Sequence, residues 1–196
     1  DVLAMLRGAM ELLRVGPAST LSTDVGPVID TEAFDRLQQQ IAVLERNATL
    51  IARTPLPDGT LTDTCIAPVA FEIPTIEAAS EEIFGPVLQV VRWRGDVDAL
   101  LARIDALGYG LTLGVQTRID TRAEEIAANA CVGNVYVNRN TVGAVVGVQP
   151  CGGEGLSGTG PKARGPLYLA RFCAEQSVSV NTAAAGGDVD LMTAAG

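Results

Sequence analysis

Between Val87 and Asn138 the chain alternates between two hydrophobic periods, and no other feature constrains the fold as strongly. Val87–Trp93 (VLQVVRW) reads as a strand. Asp96 then caps a helix whose Val97, Leu100, Leu101, Ile104 and Leu107 share one face, stopped at Gly108. Leu111–Thr117 reads as a second strand. Thr121-x-x-Glu124 has capping-box spacing and opens a helix ending near Cys131, and Asn134–Asn138 reads as a third strand. Strand, helix, strand, helix, strand with short links predicts an α/β fold, a parallel sheet with right-handed βαβ crossovers. Ligands of such sheets gather beyond the carboxyl ends of the strands, which directs attention to the long loop after Asn138.

Upstream, Val2, Leu6, Ala9, Met10 and Leu13 fall on one helical face that ends at Gly16-Pro17. Asp30 is placed to cap a helix carrying Phe34, Leu37, Ile41 and Leu44 on one stripe. Thr49–Arg53 suits a short strand, Pro55–Gly59 a turn, and Ala67–Ile73 another extended run. The tail from Thr182 (TAAAGGD) is small and flexible in composition. A length of 196 residues is enough for one domain with a real core or a large piece of a two-domain protein.

A net charge of −9 argues against nucleic acid or an anionic membrane as the main partner, because both call for clustered cations. Thirteen of the fourteen basic residues are Arg, and Lys162 is the single Lys. No apolar run reaches the about 18 residues of a membrane span, and the opening DVLAMLRGAMELL lacks the layout of a signal peptide. The chain has no His, so a Ser-His or Cys-His couple and any His-ligated metal are excluded within it. Cys65, Cys131, Cys151 and Cys173 show no CxxC pairing and read as reduced cytoplasmic thiols rather than ligands of a metal.

The segment QPCGGEGLSGTGP, Gln149 to Pro161, contains Gly153-x-Gly155-x-x-Gly158, the letter pattern of a dinucleotide-binding turn. That turn works only where the last glycine opens a helix whose amides face a pyrophosphate. Here Val145–Val148 could supply a strand, but Thr-Gly-Pro-Lys-Ala-Arg-Gly-Pro follows Gly158 and cannot start a helix before Pro166. The phosphate-loop pattern fails too, since Pro161 occupies the lysine's place. The glycines read as permission for positive φ and close backbone approach.

Several stretches, in order, give this chain a family resemblance. Glu81-Glu82-Ile83-Phe84-Gly85-Pro86-Val87 resembles the EEIFGPV segment of aldehyde dehydrogenases. Tyr109-Gly110-Leu111-Thr112 resembles their YGLT strand, Gly133–Asn138 their GNVYVN strand, and the glycine-rich loop their PFGG-x-x-x-SG segment. The resemblance runs from Asp1 to about Ala185. Within the superfamily, Asn138–Pro150 with Gly152–Lys162 is similar to the L-glutamate γ-semialdehyde (Δ1-pyrroline-5-carboxylate) dehydrogenases. The same stretches resemble the dehydrogenase parts of bacterial bifunctional proline utilization A proteins. The resemblance implies an aldehyde dehydrogenase catalytic-domain fold over residues 1–174 and an oligomerisation strand with a tail over 175–196. It also implies a cytoplasmic homo-oligomer using NAD, with FAD only where a proline dehydrogenase domain lies upstream.

By the same resemblance Glu82 accepts hydrogen bonds from the nicotinamide ribose and Phe84 lies near the nicotinamide ring. The amides of Gly143 and Ala144 hold the substrate's α-carboxylate, and Cys151 stands where an aromatic wall is expected. Arg164 stands where glycine is expected. The thiolate that attacks the aldehyde and the Glu that activates water belong, in the family, before Asp1, as does the Rossmann domain; no catalytic residue is therefore assigned within this chain. Two other readings remain open. A different semialdehyde class would favour Arg or Lys at the distal carboxylate, and an assembly module would use Glu175–Asn181, where Val alternates with polar residues.

Overall fold

The computed structural model describes residues 1–57, 64–142 and 145–181. Helix α1 spans Val2–Glu11 and α2 Thr31–Asn47; strands β1 (Thr49–Arg53), β2 (Val69–Glu72) and β3 (Val87–Val90) follow. A 3-10 turn at Ile76–Ala79 lies between β2 and β3. Then come α3 (Val97–Asp105), β4 (Tyr109–Gly110), β5 (Thr112–Val115), α4 (Asp120–Asn129), β6 (Asn134–Val137) and β7 (Glu154–Gly155), with a 3-10 turn at Leu169–Phe172.

Two of the helix starts follow the capping logic. Asp30 accepts from the Ala33 amide at 2.7 Å, and Asp96 accepts from the Ala99 amide at 3.0 Å, each satisfying a donor the helix cannot. The Leu37, Ile41, Leu44 stripe of α2 is buried against Ile66, Val69, Phe71 and Ile73. On the opposite face of the sheet, Met10 of α1 packs with Ile51, Ala52 and Ala70. Strand β2 therefore divides its side chains by the two-residue period, Val69 and Phe71 towards α2 and Ala70 towards α1. Thr54 closes the α1 side, its hydroxyl donating to the Met10 carbonyl at 2.9 Å.

The structure departs from the sequence reading at several points. The strands form three small sheets among the described residues: β1-β2-β3, β4-β7 and β5-β6. Strand β1 runs antiparallel to β2, β2 pairs parallel with β3, and β5 pairs parallel with β6 around α4. Strands β3 and β5 do not share a sheet, because α3 packs against α4 and the 3-10 turn before β3 and carries the chain onto a new ladder. The buried face of α1 is Leu3, Leu6, Met10 and Leu13; Val2 and Ala9 lie outside it, displaced by the competing stripe one residue along. Helix α4 starts at Asp120, so Thr121 lies within its first turn and makes no cap, and the N-cap position falls on Ile119, which has no side-chain acceptor. Val145–Val148 is a turn closed by the Gln149 amide on the Val145 carbonyl at 2.7 Å, not a strand. Residues 174–181 are exposed and carry no ladder partner among the described residues.

Candidate functional site

The segment Glu81–Pro86 is fastened to the α2 core at alternate points. Ile83 packs against the buried cluster, and the Pro86 carbonyl accepts from the Val69 amide at 3.0 Å. A Cβ on Gly85 would lie 2.6 Å from the Leu37 Cδ1, so only glycine lets this backbone rest on α2 without moving Leu37. The residues between these anchors face outward. Phe84 is 77% exposed, and Glu82 is exposed with no hydrogen bond or ion pair among the described residues. A fixed backbone thus presents a free carboxylate and an aromatic face two residues apart, which fits a sugar diol beside a planar ring.

The second part of the site is the loop beyond β6. Asn138 ends β6 with φ +54, a left-handed conformation that Asn tolerates. Its Oδ1 accepts from the Thr117 amide at 2.9 Å, and its own amide donates to the Val115 carbonyl at 2.8 Å, so it ties the carboxyl ends of β5 and β6 together. Gly143 and Ala144 lie outside the described residues. Cys151 is half-buried and exchanges backbone hydrogen bonds with Ala163, 3.1 Å and 2.7 Å. The Asn134 Nδ2 donates to the Pro150 carbonyl at 3.1 Å, and the Lys162 ammonium donates to the Gly133 carbonyl.

The glycine-rich segment is packed backbone to backbone. Strand β7 pairs with β4, Tyr109 opposite Gly155 and Gly110 opposite Glu154. A Cβ on Gly153 would stand 2.7 Å from the Gly110 carbonyl oxygen and 2.8 Å from that of Ser157. These glycines have a packing role, as the sequence reading expected. Arg164 adopts φ +66 without being glycine, a conformation that costs an L-residue about 1–2 kcal/mol.

Cys131 is exposed, because α4 ends at Asn129 and leaves it on the connection to β6. Its thiol is pushed up from its ordinary value by a hydrogen bond to Asp105, by that carboxylate's charge, by desolvation and by the charge of Glu154. This disfavours the thiolate and argues against Cys131 as a nucleophile.

Glu82 and Phe84 lead into the three-stranded sheet, whereas Cys151 sits beside β6, and no described hydrogen bond joins the two parts. Asn134, Asn138 and Lys162 were not singled out from the sequence for the site. Their available signals were an Asn closing a strand and a lone Lys in an Arg-rich chain. Among the described residues no cluster of acidic, His or Cys groups could hold a metal ion, and no helix is long and apolar enough to cross a membrane.

The model of the aldehyde dehydrogenase family matches residues 1–178, and the chain belongs to that family. Its fold is the mixed α/β fold of the family. The particular relatives are narrower. The chain is 48% identical over 183 residues to the bifunctional protein PutA of Escherichia coli, covering 90% of this chain and 14% of that protein. It is 37% identical over 172 residues to the 1-pyrroline-5-carboxylate dehydrogenase of Bacillus cereus, covering 85% of this chain and 33% of that protein. A crystal structure of Bradyrhizobium japonicum proline utilization A superposes with a TM-score of 0.84 at 52% identity, over 93% of this chain and 19% of that one. The chain thus spans a small part of the length of the PutA relatives it matches.

Proposed function

We propose that this chain is a carboxyl-terminal share of an NAD-dependent dehydrogenase that oxidises L-glutamate γ-semialdehyde to L-glutamate in proline breakdown. The observation that carries the reading is the corner at Glu82 and Phe84, held on the α2 core by Ile83 and Gly85 yet open to solvent. Held at this corner, NAD would supply the hydride-accepting chemistry of the oxidation. Glu82 accepts hydrogen bonds from the neighbouring hydroxyls of the nicotinamide ribose, one per carboxylate oxygen. Phe84 covers one side of the nicotinamide and keeps water from it. Gly143 and Ala144 offer main-chain amides to the substrate's α-carboxylate, and Cys151 lines its aliphatic chain.

The relatives support the substrate class, since they include both PutA proteins and stand-alone 1-pyrroline-5-carboxylate dehydrogenases. FAD enters only where a proline dehydrogenase domain shares the polypeptide. A cytoplasmic setting suits the four free thiols. The exposed alternation of Val178 and Val180 supports pairing of residues 175–181 with a strand of another copy, giving a homo-oligomer.

The test compares kcat/KM of the full-length protein on glutamate γ-semialdehyde and on succinate semialdehyde with NAD. The expected preference for the glutamate compound is at least about a hundredfold, because a site built for the amino-acid carboxylate leaves its donors unpaired with the shorter compound. Unpaired polar groups of this kind reject a competitor by up to about 10⁴–10⁵. Equal values would assign the protein to another semialdehyde class. The 196 residues assayed alone are expected to show no turnover; turnover above background would place the nucleophile within them.

A further inference from the structure

We propose that Lys162 is a positioning residue for the aldehyde substrate, acting by pinning the loop that carries Cys151 against the start of β6. The inference rests on the functional reading above, in which Cys151 lines the substrate's carbon chain. Lys162 is the only lysine in the chain and is half-buried. Its ammonium donates to the backbone carbonyl of Gly133, and no carboxylate pairs with it among the described residues. An ordinary surface lysine keeps its ammonium in water. Here a compact charged donor reaches one carbonyl oxygen, a geometry suited to ammonium more than to the planar fork that the other thirteen basic residues carry.

The lysine stem crosses Gly152. A Cβ at Gly152 would come 3.0 Å from the Lys162 Cγ and 3.1 Å from its Cα, so the absence of a side chain makes room for the lysine. A Cβ at Gly133 would in turn overlap the Gly152 carbonyl oxygen. Gly133, Gly152 and Lys162 therefore form one stack in which the loop is pressed onto the β6 start. Cys151 is bracketed within it. On one side Pro150 is held by the Asn134 amide group, and on the other Ala163, adjacent to Lys162, exchanges both backbone hydrogen bonds with Cys151. Gly133 and Asn134 are consecutive, so the two pins share one anchor on β6.

Release of either pin lets Cys151 move relative to the β6 carboxyl end without touching Glu82, which precedes β3, a strand of a different sheet. The consequence is a split between the two ligands. In the full-length protein, Lys162→Met is expected to raise KM for glutamate γ-semialdehyde about tenfold, the worth of one charge-assisted hydrogen bond. KM for NAD stays at the wild-type value. Lys162→Arg keeps a charged donor on a long stem but presents a planar fork to a single carbonyl, and recovers only part of the loss. Asn134→Ala loosens the same loop from the other side and gives the same split, which keeps the test available if Lys162→Met does not fold. An unchanged aldehyde KM in a folded variant, or equal rises in both KM values, would overturn the inference while leaving the functional reading intact. Absence of wild-type turnover on the semialdehyde would instead remove the functional reading, and this inference with it.

Discussion

Phe71 is fully buried between α2 and the three-stranded sheet, whereas Phe172 leaves 71% of its surface in solvent. The two phenylalanines stand for two regions built in different ways. The region around Phe71 has a closed apolar cluster on each face of its sheet and is held by hydrophobic burial. The described residues between Arg139 and Asn181 leave Val146, Val148, Leu156, Leu169 and Phe172 exposed, and are held by backbone hydrogen bonds, glycine contacts and side-chain hydrogen bonds such as those of Asn134 and Lys162. Apolar surface on that scale belongs to an interface. The proposed function supplies the cover in the remainder of the dehydrogenase. The lesson is that the corner at Glu82 and Phe84 rides on a closed core, while the loop beyond β6 leaves much of its apolar surface in solvent.

The comparison breaks most directly at its two emblematic residues. Phe71→Ala in the 196-residue chain is expected to cost about 3–5 kcal/mol by loss of buried area and an unfilled cavity. Phe172→Ala is expected to change stability by less than about 0.5 kcal/mol, as an exposed substitution does. Urea midpoints of the two variants measure the difference. Similar losses for both would mean that the carboxyl-terminal region has a core of its own.

A smaller effect sharpens the account of the loop. Arg164→Gly is expected to stabilise the chain by about 1 kcal/mol, because glycine takes φ +66 without the steric cost borne by arginine. Arg164→Ala keeps the cost and gives no such gain. A lower urea midpoint for the glycine variant would show that the arginine side chain compensates its own strain.

The smallest effect is a pH dependence in the region between the two. Arg103 donates to both oxygens of Glu77 at 2.7 Å, joining α3 to the 3-10 turn before β3. These hydrogen bonds, with help from the backbone and Thr75, hold the Glu77 carboxyl at about 2, against an ordinary 4.5. A depressed carboxyl contributes stability above its ordinary value and loses it as pH falls towards the folded value. The pair is exposed on both sides and open to screening by salt. The Tm difference between wild type and Arg103→Ala is therefore expected to be modest above pH 4.5, to shrink as pH falls towards 2, and to narrow in high salt. A difference that is flat across that window would refute the assignment.

Much of the buried region was legible because its signals are local. Asp30 and Asp96 sit one step before their helices, and the Leu37-Ile41-Leu44 stripe follows the helical period. The outward placement of Glu82 and Phe84 goes with alternation around Ile83 and Gly85. What escaped is long-range. Whether β3 and β5 share a sheet depends on where α3 packs, and no short window encodes that. Helix α4 begins one residue before Thr121, which therefore cannot cap it, and Val145–Val148, apolar enough for a strand, closes as a turn. Lys162 reaching the Gly133 carbonyl and Asn134 reaching that of Pro150 link points that are distant in sequence, through backbone acceptors every residue possesses.

The central claim, that the Glu82 carboxylate holds the cofactor while the loop beyond β6 holds the aldehyde, is tested most directly by calorimetric titration of NAD into the full-length protein carrying Glu82→Gln. The account predicts a Kd about tenfold weaker than wild type, the worth of the lost charge-assisted hydrogen bonds, with KM for the semialdehyde unmoved. An NAD Kd equal to that of the wild type would contradict it.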